Sequence, residues 1–85
     1  MTTPLHAQIR DFILENYLFT RDPGAIGWDD SLSGRGIADS TRMLELVLFV
    51  EETLGAPLRD EEIVPENFDS INRIARFITA RRGSS

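Results

Sequence analysis

The sequence predicts a small all-α protein: a bundle of three main helices plus one short helix, with a long loop between the first and second helices. Apolar residues recur at helical spacing in three stretches, each bounded by residues that favour helix ends. No segment of useful length alternates apolar and polar residues as a half-buried strand does. At 85 residues the chain has room for one modest domain, which we assign to residues 1–82, with a flexible tail at 83–85.

The first helix is predicted to begin at Thr3 and Pro4 and to end at about Leu18. Threonine is a favoured N-cap, and the fixed φ of proline suits the first helical position. The following loop, Phe19 to Ala38, contains most of the glycines and is long for a compact domain. We expect its apolar residues to hold it against the core: Ile26, Trp28, Leu32 and Ile37.

The second helix is predicted to run from Asp39-Ser40 to Leu54, where Gly55 supplies a C-terminal stop. A short turn is then expected to begin at Asp60 and to extend to Val64.

Pro65 is expected to close that short turn. Either Asp69 or Ser70 then caps the last helix. Near its C-terminus, Arg81 and Arg82 complement the negative end of the helix dipole.

Composition excludes several classes of function. The chain has no Cys, so disulfides, protein thiolate nucleophiles and iron–sulfur clusters are excluded, and a single His excludes multi-histidine metal sites. The net charge of −5 disfavours nucleic-acid binding, which depends on neutralising phosphates. No apolar run approaches the length that spans a bilayer, and no secretory signal is recognisable, so we expect no membrane insertion and a cytoplasmic protein.

The charges are unevenly distributed along the chain. Residues 29–69 hold eleven acidic residues against three arginines, whereas residues 70–85 hold four arginines and no acidic residue. An acidic middle favours basic partners, which approach it with electrostatic help. The alternative is that these charges form a solvated surface that keeps a small protein in solution.

The second helix has two apolar surfaces. Its core face is predicted to consist of residues within one arc of the helical wheel: Met43, Leu46, Val47, Val50 and Leu54. Leu44 and Leu48 lie outside this arc, and the residues around them are polar or acidic: Thr41, Glu45, Glu51 and Glu52. Apolar side chains surrounded by carboxylates favour a partner-docking surface. The alternative is that both leucines pack under the long loop.

Ser40 stands at the predicted start of the second helix, directly after Asp39. A serine at this position usually serves as a cap, but here it lies within a much longer pattern. That pattern comprises Gly36-Ile37-Ala38-Asp39-Ser40, Leu44-Glu45-Leu46-Val47, Val50-Glu51-Glu52, Leu54-Gly55, Asp60-Glu61-Glu62, Pro65-Glu66-Asn67-Phe68, Ser70-Ile71, Ile74-Ala75 and Phe77-Ile78. Over nearly the whole chain it resembles the acyl and peptidyl carrier protein family, including the helix order and the long first loop.

The resemblance implies that Ser40 carries 4′-phosphopantetheine, attached from coenzyme A by a phosphopantetheinyl transferase, with Asp39 matching the acid before the modified serine. Cargo then rides as a thioester on the thiol of the cofactor. A monomeric carrier of this kind is not an enzyme. It presents its cargo to an adenylate-forming acyl or aminoacyl ligase and then to a downstream transferase or condensing enzyme.

The chain also departs from the form that serves fatty-acid synthesis. Gly36 lies four residues before Ser40 and Ile37 takes the usual glycine position, while Thr41 and Arg42 follow where that form has Leu and often an acid. The glycine spacing is more similar to that of stand-alone carriers, including aminoacyl carriers. An unmodified helical protein-interaction module with a carrier-like fold remains the alternative reading.

Overall fold

A computed structural model describes residues 4–83 of the chain, and every regular element in this range is helical. Three long helices form the frame: α1 (Leu5–Ile13), α2 (Ser40–Leu54) and α4 (Ile71–Gly83). A single short α-helix, α3 (Pro65–Phe68), precedes the last of them. A π-helical segment (Leu14–Leu18) extends α1, and two 3₁₀ turns lie at Pro23–Ala25 and Asp60–Glu62. The predicted all-α bundle is confirmed.

The core lies between the three long helices. It consists of apolar side chains that are almost fully buried: Ile9, Ile13, Leu14, Tyr17, Leu46, Val47, Val50, Phe68, Ile71, Ile74, Ala75 and Ile78. Within the predicted core face of α2, Leu46, Val47 and Val50 are buried, while Met43 and Leu54 pack against the core edge. The helical spacing therefore assigned the inner face of α2 correctly.

The first helix extends to Leu18 as predicted, but its last five residues form a π-helix instead of α-helix. Within this wider turn both Leu14 and Tyr17 are buried, so the chain keeps its apolar contacts while the helix ends. Phe19 terminates it in the left-handed region, with a φ of 53° and a side chain that is 77% exposed. The predicted N-cap, Thr3, lies outside the described residues.

The long loop is held to the core by Ile26, Leu32 and Ile37, which are all buried as expected. Trp28 differs from the expectation, because its side chain remains 41% exposed. Its ring lies on the outer surface of α1, edge-on to His6 and 5.3 Å from the guanidinium of Arg10. Trp28 therefore fastens the loop from outside the core.

The connection into α4 differs from prediction in two ways. The turn that begins at Asp60 ends at Glu62, and Pro65 opens α3 instead of closing the turn, because proline suits a first helical position. Ser70, and not Asp69, caps α4: its Oγ accepts a hydrogen bond from the Arg73 N–H at 3.1 Å.

The end of α4 also differs from the expected tail. Gly83 is the last residue of the helix, while residues 84 and 85 lie outside the described residues. Arg81 forms an ion pair with Glu62, and Arg82 donates a hydrogen bond to the Thr53 carbonyl at 3.0 Å. Both arginines thus bind other elements as well as lying in the last turn of the helix.

Asp69 fastens the long loop to the start of α4. Its carboxylate accepts hydrogen bonds from Ser31 Oγ at 2.6 Å and from Ser33, through N at 3.0 Å and Oγ at 2.7 Å. Its main-chain carbonyl accepts from the Leu32 N–H at 2.8 Å. Partial desolvation acts to raise the pKa of Asp69, but the hydrogen bonds from the two serines and the charge of Arg73 outweigh it and hold the pKa below its usual range.

Replacing Leu46 and Leu48 separately by Ala tests the two faces of α2. Leu46 is fully buried, so Leu46→Ala should cost about 2–5 kcal/mol of unfolding free energy through lost burial and the remaining cavity. Leu48 is 61% exposed, so Leu48→Ala should leave the thermal midpoint almost unchanged. Paired thermal melts measure both, and equal losses of stability would place Leu48 in the core.

Asp69→Asn tests the attachment of the loop. The folded carboxylate has a lowered pKa, so its stabilisation is present above the unfolded pKa and is lost as the pH falls through the folded pKa. At pH 7 the variant should lose about 1–3 kcal/mol, and its unfolding free energy should fall less steeply towards acid pH. Urea titrations from pH 7 to pH 3 measure this.

The matched control for Asp69→Asn is Asp11→Asn, because Asp11 is an exposed carboxylate on α1. It should change stability by about 0.5 kcal/mol or less. If Asp69→Asn shows the same stability and the same pH dependence as Asp11→Asn, the hydrogen bonds from the two serines do not hold the loop.

Candidate functional site

Ser40 is the first residue of α2, and its side chain is exposed. Asp39 precedes it in an extended conformation, and its Oδ1 accepts a hydrogen bond from the Arg42 N–H at 2.9 Å. Asp39 is therefore the N-cap, which relieves Ser40 of that task. Within residues 4–83 the Ser40 hydroxyl makes no hydrogen bond, so the hydroxyl oxygen is free to react.

The main chain around Ser40 offers hydrogen-bond donors to an anion. Within the described part of the chain, the N–H groups of Ser40 and Thr41 meet no backbone acceptor, as is usual in the first turn of a helix. The aligned peptide dipoles of this 15-residue helix add partial positive charge at the same end. A phosphate ester on Ser40 fits these residues.

The chain before Ser40 is folded into a tight turn by its own main chain. The N–H groups of Ile37 and Ala38 both donate to the Leu32 carbonyl, at 2.9 and 3.1 Å. Gly36 adopts a φ of 70°, a conformation that favours glycine, and a Cβ there would meet no atom within 4 Å. The turn returns the chain from Leu32 to Asp39 and so sets the direction in which α2 begins.

Arg42 and Tyr17 join the first turn of α2 to the π-helix. The Tyr17 hydroxyl donates to the Arg42 carbonyl, and the Arg42 guanidinium lies 5.3 Å from the Tyr17 ring and donates to the Ile37 carbonyl at 3.0 Å. Burial, followed by the nearby Glu45 carboxylate, raises the pKa of Tyr17 to about 12 against the opposing charge of Arg42. The phenol therefore keeps its proton and remains a donor at neutral pH.

Sequence reasoning missed the role of Tyr17 at the site. In the sequence, Tyr17 is one of several apolar residues near the end of the first helix. Arg42 stands out only because it differs from the residue that is common at this position in the carriers of fatty-acid synthesis. A contact between residues 25 positions apart leaves no local signal in the sequence.

The predicted docking residues on α2 fall into two groups. Leu44 is 63% exposed and Leu48 is 61% exposed, so neither leucine packs under the long loop. The polar residues Thr41, Glu45 and Glu52 are exposed beside them.

Glu51 differs from the other predicted docking residues. It is half-buried, and its Oε2 accepts a hydrogen bond from the Leu58 N–H at 2.8 Å. Its carboxylate therefore serves as the hydrogen-bond acceptor for a main-chain N–H group in the segment that follows α2. This structural task separates Glu51 from the exposed carboxylates of the same helix.

A small apolar pocket of about 110 Å³ opens beside the first turns of α2. Its lining comes from α2, the loop before it and the segment around α3: Ser33, Met43, Ile63, Val64, Pro65, Phe68 and Asp69. Met43 lies three residues after Ser40, so the pocket lies within about one helical turn of the exposed hydroxyl along the helix.

Two other kinds of site can be assessed across residues 4–83. No group of three or more His, Asp or Glu side chains is placed to hold a metal ion in this range. The helices described there are also too short or too polar to cross a membrane.

Comparisons with known proteins add no identification. No protein-family model matches the chain. No curated protein matches it either.

Proposed function

We propose that this protein is a stand-alone acyl or aminoacyl carrier, holding its cargo as a thioester on a 4′-phosphopantetheine arm attached to Ser40. The observation that carries the proposal is the exposed Ser40 hydroxyl, which opens a long helix while its neighbour Asp39 performs the capping. A serine that is not needed as a cap and lies at an anion-binding helix end suits covalent attachment of a phosphate group.

The residues around Ser40 have separate tasks in this function. The Ser40 oxygen forms a phosphodiester with the phosphorus of phosphopantetheine, while the hydroxyl proton and the nucleotide part of coenzyme A leave. The N–H groups of Ser40 and Thr41, which meet no backbone acceptor, would be available to hold the resulting anion. When bound, the arm supplies the terminal thiol that carries the thioester, since the chain has no Cys of its own.

The apolar pocket beside α2 supports a small cargo. An apolar cavity of about 150 Å³ binds one benzene molecule, so an apolar pocket of about 110 Å³ suits a short side chain better than a long acyl chain. The position of Gly36, four residues before Ser40, agrees with the stand-alone aminoacyl carriers that the sequence resembles.

The proposed partners act in order on the same monomeric carrier in the cytoplasm. A phosphopantetheinyl transferase attaches the arm, an adenylate-forming ligase loads the cargo, and a downstream transferase or condensing enzyme removes it for biosynthesis. The exposed docking residues on α2 favour partners with an apolar pocket and a basic rim. In this scheme the protein is a substrate carrier and not an enzyme.

A helical protein-interaction module without any modification is the second candidate. The exposed Leu44 and Leu48 favour it, because a docking surface on α2 serves a partner whether or not Ser40 is modified. The two candidate functions differ in whether Ser40 becomes modified, and this can be measured.

Ser40→Ala tests the attachment. Wild-type protein incubated with coenzyme A and a promiscuous phosphopantetheinyl transferase should gain the mass of one phosphopantetheinyl group. Ser40→Ala should fold normally, because alanine is a good helix former, and should gain nothing. Intact-mass spectrometry measures both proteins.

Thr41→Ala is the matched control for the attachment, since it removes the neighbouring hydroxyl on the same turn. It should still be modified. A modified Ser40→Ala variant, or a wild-type protein that several transferases leave unmodified, would remove the carrier function and favour the unmodified module.

Charge reversal tests docking on α2. The double variant Glu45→Lys/Glu52→Lys should slow modification of Ser40 by weakening association with the transferase. Each exposed change should alter stability by about 0.5 kcal/mol or less. The modification rates of the wild-type chain and the double variant should converge as the salt concentration rises, because screening weakens an electrostatic effect.

The control for charge reversal is Glu61→Lys/Glu66→Lys, which makes the same change in net charge at exposed positions outside α2. It should lower the rate far less. Equal rates for the two double variants at low salt would remove specific electrostatic docking on α2.

A further inference from the structure

The last helix, α4, carries a second stripe of residues beside its core face. The core face consists of its buried residues: Ile71, Ile74, Ala75 and Ile78. The residues of the second stripe follow one another at intervals of three, one and three positions: Arg73, Arg76, Phe77 and Ala80. Such intervals place side chains on one face of a helix, and the stripe extends for roughly 10 Å along the axis.

A groove of about 500 Å³ opens along this stripe, between α3 and α4, and we call it the α3–α4 groove. Its α3 wall consists of Glu66 and Asn67, and the Asn67 Nδ2 donates to the Glu62 carbonyl at 2.9 Å. Phe77 is only half-buried in its α4 wall, with its ring centroid 5.6 Å from that of the buried Phe68. The groove therefore combines an accessible aromatic side chain with charged residues.

The cations of the α3–α4 groove lack carboxylate partners. Arg73 and Arg76 are exposed, and neither forms an ion pair with any carboxylate in residues 4–83, including Glu66 of the same groove. Arg73 Nη1 donates to the Pro65 carbonyl at 3.3 Å, and its charge also reaches Asp69. Arg76 is therefore the more available cation of the two.

The charge of the whole chain restricts what these cations can bind. A nucleic acid or an anionic membrane extends well beyond the groove and would also meet the acidic residues of a chain with a net charge of −5. A short segment with two carboxylates would meet only the groove. The guanidinium group suits that partner, because its fork of N–H donors matches the two oxygens of a carboxylate.

The spacing of the two arginines favours a helical partner. Arg73 and Arg76 are three residues apart on α4, which corresponds to roughly 4.5 Å along the helix axis. Two carboxylates three residues apart on a partner helix have the same spacing, whereas two residues on one face of a strand are roughly 7 Å apart. An apolar side chain one turn away would then reach Phe77, and the short side chain of Ala80 leaves room for a helix to approach.

We propose that the α3–α4 groove binds an acidic amphipathic helix of a partner protein through two carboxylates three residues apart, held by Arg73 and Arg76. An apolar side chain of that helix packs on Phe77 and Ala80. The contact uses neither Ser40 nor any of the docking residues on α2. It therefore goes beyond the proposed function and is independent of whether the chain is a carrier.

The probe is an acetylated, amidated and fluorescently labelled helical peptide of alanine, leucine and glutamine. It has glutamates at two positions three residues apart and a leucine one turn away, and a control peptide has glutamine in place of both glutamates. The wild-type chain should bind the glutamate peptide, with NMR shift changes concentrated at Asn67, Phe77 and Ala80. It should bind the control peptide about tenfold more weakly, equivalent to about 1.4 kcal/mol.

Arg76→Gln removes the more available cation from the groove. The matched control is Arg21→Gln, because Arg21 is also exposed and without an ion pair among the described residues but lies outside the groove. Arg76→Gln should weaken binding of the glutamate peptide by about tenfold, and Arg21→Gln by less than about twofold. Circular dichroism checks that both variants fold.

Glu66→Gln tests the same groove in the opposite direction and serves if Arg76→Gln fails to fold. The exposed Glu66 carboxylate repels an acidic ligand, so its removal should strengthen binding of the glutamate peptide by about threefold. Glu15→Gln makes the same charge change at an exposed position outside the groove and should leave the affinity nearly unchanged. Equal affinities for these two variants would contradict the proposal.

Five other outcomes would overturn the proposal. Three concern the peptides: no binding by the wild-type chain, equal binding of the two peptides, and equal affinities for Arg76→Gln and Arg21→Gln. The fourth is binding to phosphatidylglycerol vesicles, abolished by Arg76→Gln, without binding of the peptide, which would assign the groove to a membrane surface. The fifth is a wild-type dimer in sedimentation that Arg76→Gln dissociates, which would assign it to a second copy of the chain. Modification of Ser40 is measured separately by mass, so the failure of the carrier function and the failure of this proposal are distinguishable.

Discussion

The hydrogen bonds to Asp69 are the constraint on which the rest of the structure depends. Ser31 and Ser33 donate to its carboxylate, and Leu32 donates to its carbonyl, so the loop is held to the start of α4 through side chain and main chain together. The Leu32 carbonyl in turn receives the N–H groups of Ile37 and Ala38. The beginning of α2, and with it the exposed Ser40, is thus positioned by a contact made at the far end of the sequence.

The arginines of the chain determine which carboxylates remain available to partners. Asp30 and Glu62 are neutralised within the fold, and the pKa of each lies below its usual range. In Glu62 the largest cause is the hydrogen bond from Arg81, and in Asp30 it is the hydrogen bond from the Gly27 main chain. Glu45 and Glu52 on α2 have no such arginine partner among the described residues, and both carboxylates are exposed.

The ends and the buried face of α2 could be predicted from its own residues, whereas contacts with distant segments could not. An acidic N-cap at Asp39 and a left-handed Gly55 define both ends of α2, and its apolar spacing defines the buried face. Asp69 and Ser70 are equally good caps in sequence, and only the distant serines of the loop determine that Ser70 caps and Asp69 binds the loop.

The same limit applies to the candidate site. The wheel of α2 places Leu44 and Leu48 outside the core face, but their exposure also depends on the path of the long loop, which leaves both uncovered. The half-buried Glu51, the Tyr17 contact with Arg42 and the stacking of Phe49 on Phe12 all depend on a second element packed beside α2. Such contacts are set by tertiary packing, which periodicity within one segment does not encode.

The position of Trp28 gives the protein an internal optical reporter. It is the only tryptophan in the chain, and its indole lies against α1 near His6 and Arg10 while the core is formed by other residues. Detachment of the loop would transfer the indole fully to water and change its emission without melting a helix. Fluorescence and circular dichroism therefore report on two different events in this molecule, loosening of the loop around the site and unfolding of the bundle beneath it.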